Sequence, residues 1–120
     1  MSTKIGFIGL GTMGKVMSRR LIVWNRTEAS AKELIAEGAT WANSPKEVAA
    51  ESDVVFTMTS DAAASTEVIC GLNGVLQGAH KGLVVIDSAS IAPEASQANA
   101  AQAEEKGVAL LDAPVSGGPK

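Results

Sequence analysis

Short apolar runs alternate with longer alanine- and glutamate-rich segments along this chain. The runs are Ile5 to Leu10, Leu21 to Trp24, Val54 to Met58, Leu83 to Asp87 and Val108 to Leu111. They are rich in Val and Ile and almost unbroken by polar residues, as strands buried on both faces of a parallel sheet are. Ala39-Thr40-Trp41 is a weaker run and predicts an edge strand. The segments between carry helix start and stop signals. Thr27-Glu28-Ala29-Ser30 opens a helix that runs to Glu37 and stops at Gly38. Ser44-Pro45-Lys46-Glu47 supplies an N-cap, a proline at the first helical position and a glutamate to close a capping box. Asp61 caps a helix from Ala62 to Cys70 that ends at Gly71, and a longer helix runs from Pro93 to Lys106 with Gly107 just beyond. There is no repeat, linker or low-complexity tract, so residues 1–120 read as one domain.

Strand and helix in alternation imply right-handed crossovers and an α/β fold with a doubly wound, mostly parallel sheet. Such sheets bind ligands at the carboxyl ends of their strands, so the residues just after each run are the ones to question. After the first run comes Gly9-Leu10-Gly11-Thr12-Met13-Gly14, a G-x-G-x-x-G turn between a strand and a helix-compatible segment. Gly9 permits the tight turn, Gly11 lets backbone approach a pyrophosphate, and Gly14 lets helix and strand pack closely. The free N–H groups and the helix dipole then favour phosphate. After the second run comes Asn25-Arg26-Thr27, where an NAD site offers a carboxylate to the ribose. Arg26 can pair with a 2′-phosphate and stack on adenine, while Asn25 and Thr27 add neutral hydrogen bonds. The residues predict a nicotinamide dinucleotide site that prefers NADP over NAD.

Composition narrows the field. With 46% hydrophobic and 19% charged residues and a net charge of −3, the chain has a core and offers no basic footprint for nucleic acid. Arg19-Arg20 reads as a solvated helix end. The single cysteine, Cys70, excludes an internal disulfide and reads as a packed thiol. No apolar run approaches the roughly 20 residues of a membrane span. No signal-peptide layout opens the chain, which makes a cytoplasmic protein the default and a mitochondrial matrix protein the alternative. No cluster has metal-ligand spacing. His80 falls in a loop at the amino end of a strand, away from the ligand edge; Asp87 and Asp112 end strands without acid–base partners; Trp24 and Trp41 read as packing residues.

Gly6-Phe-Ile-Gly-Leu-Gly-Thr-Met-Gly14, Trp24-Asn-Arg-Thr27 and Leu111-Asp-Ala-Pro-Val-Ser-Gly-Gly118 together resemble the β-hydroxyacid dehydrogenase family, which includes 3-hydroxyisobutyrate dehydrogenase and the semialdehyde reductases. The resemblance covers essentially the whole chain. The last segment separates it from the related imine reductases, which share the first two. The resemblance implies a Rossmann-type cofactor domain whose owner interconverts a small β-hydroxyacid and its semialdehyde, as a homo-oligomer when full length. It also implies that Ser116, Gly117 and Gly118 hold the substrate carboxylate. Met58-Thr59-Ser60 stands where the family has Met-Leu-Pro lining the cofactor, and Ser90 matches a threonine near the nicotinamide.

Two features of the family are missing. Its proton-donating lysine belongs to a second, helical domain beyond the Ser-Gly-Gly segment, and Lys120 lies too near that segment to replace it. The chain alone is therefore expected to bind cofactor and turn over negligibly; the rival reading is a non-catalytic dinucleotide-binding module. The first crossover is also short. Gly9 through Arg20 make up the entire crossover, at the lower limit of about a dozen for a parallel connection and roughly seven fewer than the family has. Either the deletion is real or residues are missing from the sequence as it stands; the intact flanking motifs favour the second.

Overall fold

The computed structural model describes residues 4–8, 21–26, 32–36, 38–59, 61–88 and 93–113. In chain order these form β1 (Ile5–Ile8), β2 (Leu21–Trp24), α1 (Lys32–Ala36), β3 (Thr40–Trp41), α2 (Pro45–Ala50), β4 (Val54–Thr57), α3 (Ala62–Cys70), a 3₁₀ turn (Val75–Gly78), β5 (Val84–Asp87), α4 (Pro93–Glu105) and β6 (Ala109–Asp112). The strands make one sheet in the order β3-β2-β1-β4-β5-β6, and every neighbouring pair is parallel. This is a Rossmann-like sheet. β1 stands where the strand order reverses, flanked by β2 and β4 with Ile5 level with both Leu21 and Val54.

The helix signals act much as the sequence predicts. Ser44 Oγ accepts from the Glu47 N–H at 3.2 Å, and Asp61 Oδ1 accepts from the Ala64 N–H at 2.8 Å. Glu47 reaches back to the Asn43 N–H at 3.1 Å, one residue before the cap itself. At the far end of α4, Gly107 takes a φ of 75°. The Gly107 and Val108 N–H groups then donate to the Glu104 and Ala103 carbonyls at 3.0 Å each. That Schellman pattern claims Val108 for the helix stop, which is why β6 starts one residue later than its apolar run. Leu83 is likewise spent on a turn, its N–H donating to the His80 carbonyl at 3.1 Å.

Alternation sorts the core into two clusters. Ile8, Ile22, Val55 and Val85 point to the face covered by α2, α3, the 3₁₀ turn and α4. Leu21 and Val23 point to the other, with Ile35 of α1, Trp41 and Phe56. Burial on both faces, expected of every strand, holds for β2 but not throughout. On β4 and β5 the alternate residues Val54, Phe56, Val84 and Ile86 are only half-buried, and on β6 Leu111 is 53% exposed. The topology explains this: right-handed crossovers stepping outward from β4 to β6 lay their helices on one face only.

The 3₁₀ turn was not legible as an element. It lies against α2, with Val75 and Leu76 buried. A Cβ at Gly78 would collide with the Lys46 carbonyl, so glycine allows the two backbones to touch. Among the described residues no helix is long and apolar enough to cross a membrane.

Candidate dinucleotide site

The carboxyl edge of the sheet is built by backbone bonds that continue each ladder past its strand. Met58 N–H donates to the Ile8 carbonyl at 2.9 Å, Ser88 N–H to Thr57 at 2.8 Å, Ala113 N–H to Asp87 at 2.9 Å and Ala42 N–H to Val23 at 2.9 Å. The first residues of the loops are thereby fixed to the neighbouring strand. Met58 is held against Ile8, the last residue before Gly9, so the glycine-rich segment leaves β1 beside a fixed loop and at the reversal of strand order. Crevices at that reversal are where open α/β sheets take ligands.

Below this edge lies a buried polar knot. Thr57 Oγ1 donates to Asp87 Oδ1 at 3.0 Å and Ser65 Oγ donates to Asp87 Oδ2 at 2.9 Å. All three residues are at most 2% exposed. The carboxylate spans β4, β5 and α3 and fixes the spacing of the loops above it. The sequence places Asp87 at the end of a strand and gives it no acid–base role. The signal for the knot was a threonine and an aspartate closing neighbouring apolar runs, with a serine on the helix between.

Of the candidate cofactor residues, Asn25, Arg26, Met58 and Thr59 fall within the described structure, all at this edge. Arg26 is exposed, and its Nη2 lies 3.9 Å from Glu67 Oε1 of α3. Thr59 Oγ1 is buried and without a hydrogen-bond partner, as are Ser52 Oγ and Asn99 Nδ2 elsewhere in the fold. Arg26 and Glu67 line a cavity of about 680 Å³ with Trp24, Ser44 and Leu72. Trp24 is half-buried against the core, in keeping with a packing role that also walls this cavity. Gly9, Leu10, Gly11, Thr12, Met13, Gly14, Thr27, Ser60, Ser90, Ser116, Gly117 and Gly118 lie outside the described residues.

Other polar groups stand away from this edge. His80 is exposed near the amino ends of the strands, its Nε2 2.8 Å from the Ser52 carbonyl and its Nδ1 3.2 Å from that of Lys81. Two acceptors suit a ring that donates from both nitrogens, and the Ser52 bond foremost, then the Lys81 bond, raises the His80 pKa. A second cavity of about 420 Å³ opens there among Lys4, Glu51, Asp53 and His80. Cys70 is half-buried, and burial raises its thiol pKa, which keeps it protonated and unreactive. Among the described residues no three His, Cys, Asp or Glu side chains gather as metal ligands would.

Residues 4–120 match the family described as the NAD binding domain of 6-phosphogluconate dehydrogenase. The chain belongs to that family. As an NAD-binding domain of this kind it is 40% identical over 99% of its length to 2-(hydroxymethyl)glutarate dehydrogenase of Eubacterium barkeri, covering 42% of that protein. The match runs over 126 residues, so the relative carries positions that have no counterpart in these 120. The solved 3-hydroxyisobutyrate dehydrogenase of Mycobacterium tuberculosis with L-serine superposes with a TM-score of 0.82 at 34% identity, over 98% of this chain and 42% of that one. The structure of Psf3 in complex with NADP+ and 2-OPP gives a TM-score of 0.82 at 33% identity, over 95% of this chain and 43% of that one. The domain thus spans less than half the length of these relatives and resembles the cofactor portion of β-hydroxyacid dehydrogenases.

Proposed function

We propose that this domain binds NADP(H) in preference to NAD(H), for an oxidoreductase that interconverts a small β-hydroxyacid and its semialdehyde. One observation carries the reading: the G-x-G-x-x-G segment follows β1 at the reversal of strand order, next to a loop fixed by the bond from Met58 to Ile8. In this reading the amides and small side chains of Gly9, Leu10, Gly11, Thr12, Met13 and Gly14 hold the pyrophosphate. Arg26 pairs with the 2′-phosphate, and Asn25 and Thr27 hydrogen-bond around the adenosine ribose. Met58, Thr59 and Ser60 line the dinucleotide between adenosine and nicotinamide, where the unpartnered Thr59 hydroxyl offers a donor. Ser90 belongs to the same cofactor-binding set.

The Ser116 hydroxyl and the amides of Gly117 and Gly118 would hold the substrate carboxylate, since a serine beside two glycines offers several donors to an anion. L-Serine, solved with the M. tuberculosis relative, is itself a small hydroxy carboxylate. Nicotinamide dinucleotide, when bound, would provide the hydride chemistry. The proton that must accompany it comes from a side chain outside residues 1–120, in the remainder of an enzyme of the relatives' length.

Calorimetric titration of wild type and Arg26→Ala with NADPH and NADH tests the cofactor assignment. Loss of a charge-assisted phosphate contact is expected to weaken NADPH about tenfold or more. NADH affinity should stay within about twofold, because no charged contact to it is lost. An unchanged ratio between the two cofactors contradicts the assignment.

A further inference from the structure

We propose that Glu67 sets how strongly this site prefers a 2′-phosphorylated dinucleotide, by competing with that phosphate for Arg26. The inference rests on the reading of Arg26 as the phosphate partner and assigns a role to a residue on a different element. Arg26 follows β2, whereas Glu67 lies on α3, in the crossover from β4 to β5. The fold brings them together: Arg26 Nη2 and Glu67 Oε1 stand 3.9 Å apart, and both side chains line the cavity beyond Trp24.

Their meeting does not depend on a loosely placed helix. Ser65 is tied to Asp87 at 2.9 Å, Thr66 Oγ1 is 3.2 Å from Asn99 Oδ1, and Val68 and Ile69 are buried. The residues on both sides of Glu67 are thus anchored, and its carboxylate projects from a fixed backbone. The pair itself is open to water, with side-chain exposures of 71% for Arg26 and 77% for Glu67. A solvated single contact of this length is one that a phosphate dianion, with more charge and three acceptor oxygens, can displace.

Displacement has a cost that differs between cofactors. A 2′-phosphate must part Arg26 from Glu67 and then sit near a carboxylate that repels it. A ribose 2′-hydroxyl does neither, and can donate to a carboxylate. Glu67 therefore weakens NADPH binding selectively and narrows the gap between the two cofactors. It provides from α3 the negative charge that Asn25 does not provide at the end of β2.

The experiment is calorimetric titration of NADPH and NADH into wild type, Glu67→Gln, Arg26→Gln and the double variant. Glu67→Gln keeps the shape and removes the charge of an exposed residue. It is expected to raise the ratio of NADPH to NADH affinity about two- to fivefold, the range of exposed ion pairs. Glu67→Gln should raise the ratio less in the Arg26→Gln background than in wild type, because the competition passes through Arg26 whereas direct repulsion of the phosphate does not. If Glu67→Gln leaves the ratio unchanged or lowers it while Arg26→Gln reduces it, competition by Glu67 is overturned and the role of Arg26 stands. If Arg26→Gln also leaves the ratio unchanged, the reading beneath the proposal falls with it.

Discussion

Asp87 ties two strands and a helix together below the carboxyl edge. Its two oxygens are each held by a buried hydroxyl, from Thr57 and Ser65. Ser65→Ala or Thr57→Val removes a bond to a buried carboxylate, and each is expected to cost about 1.5–3 kcal/mol in urea unfolding. The double variant should depart from additivity because both bonds share one acceptor residue. Stability unchanged in either single variant would show that Asp87 does not rely on these hydroxyls. His80 gives a pH signature at the opposite edge. Its pKa is raised above 6.5 by the Ser52 and Lys81 carbonyls, so the folded state favours its charged form. The stabilisation is fully present below 6.5 and is lost as pH rises through the raised value. Denaturation midpoints measured across that window should fall for wild type by more than for His80→Ala; parallel curves would refute the assignment. Both residues were visible in the chain, and His80 stands, as predicted, away from the ligand edge. What the chain did not disclose was their partners, because Ser65 and Ser52 come into reach only when helices and strands pack.

The elements were legible where periodicity and caps agreed. Ser44-Pro45-Lys46-Glu47 and Asp61 start their helices at the predicted residues, and Gly38 and Gly107 take the positive φ of helix stops, 115° and 75°. Ser44→Ala is expected to lower stability by about 1 kcal/mol in the same unfolding assay, and no change would show that the cap is dispensable. Boundaries were less legible where an apolar residue served a turn, as Val108 and Leu83 do. The 3₁₀ turn gave no periodic signal at all; it is set by its contact with α2 at Gly78, a pairing of distant segments. The crossover from β1 to β2 has its own test. β1 and β2 pair in parallel with only residues 9–20 between them. If residues are missing from the sequence as it stands, mass mapping of a peptide spanning Arg20 and Leu21 should show extra residues between them. A peptide mass that joins Arg20 directly to Leu21 would establish a twelve-residue crossover.

The whole sheet shows how far its architecture was legible. The alternation of elements and the handedness of crossovers predict a doubly wound parallel sheet, and the observed strand order puts the end of β1 at the reversal. The glycine motif then falls there by continuity. The domain spans 42% of its relative from E. barkeri. In line with this division, the isolated domain is expected to bind NADPH but to show no measurable reduction of a panel of small semialdehydes; steady turnover would contradict the placement of the proton donor elsewhere. Dinucleotide binding at the carboxyl edge around the end of β1 is open to amide chemical-shift mapping during an NADPH titration. Shifts concentrated at Gly9 to Gly14, Asn25 to Thr27 and Met58 to Ser60 are expected. Shifts gathered instead around Lys4, Ser52 and His80 at the opposite edge, or none at saturating cofactor, would contradict it.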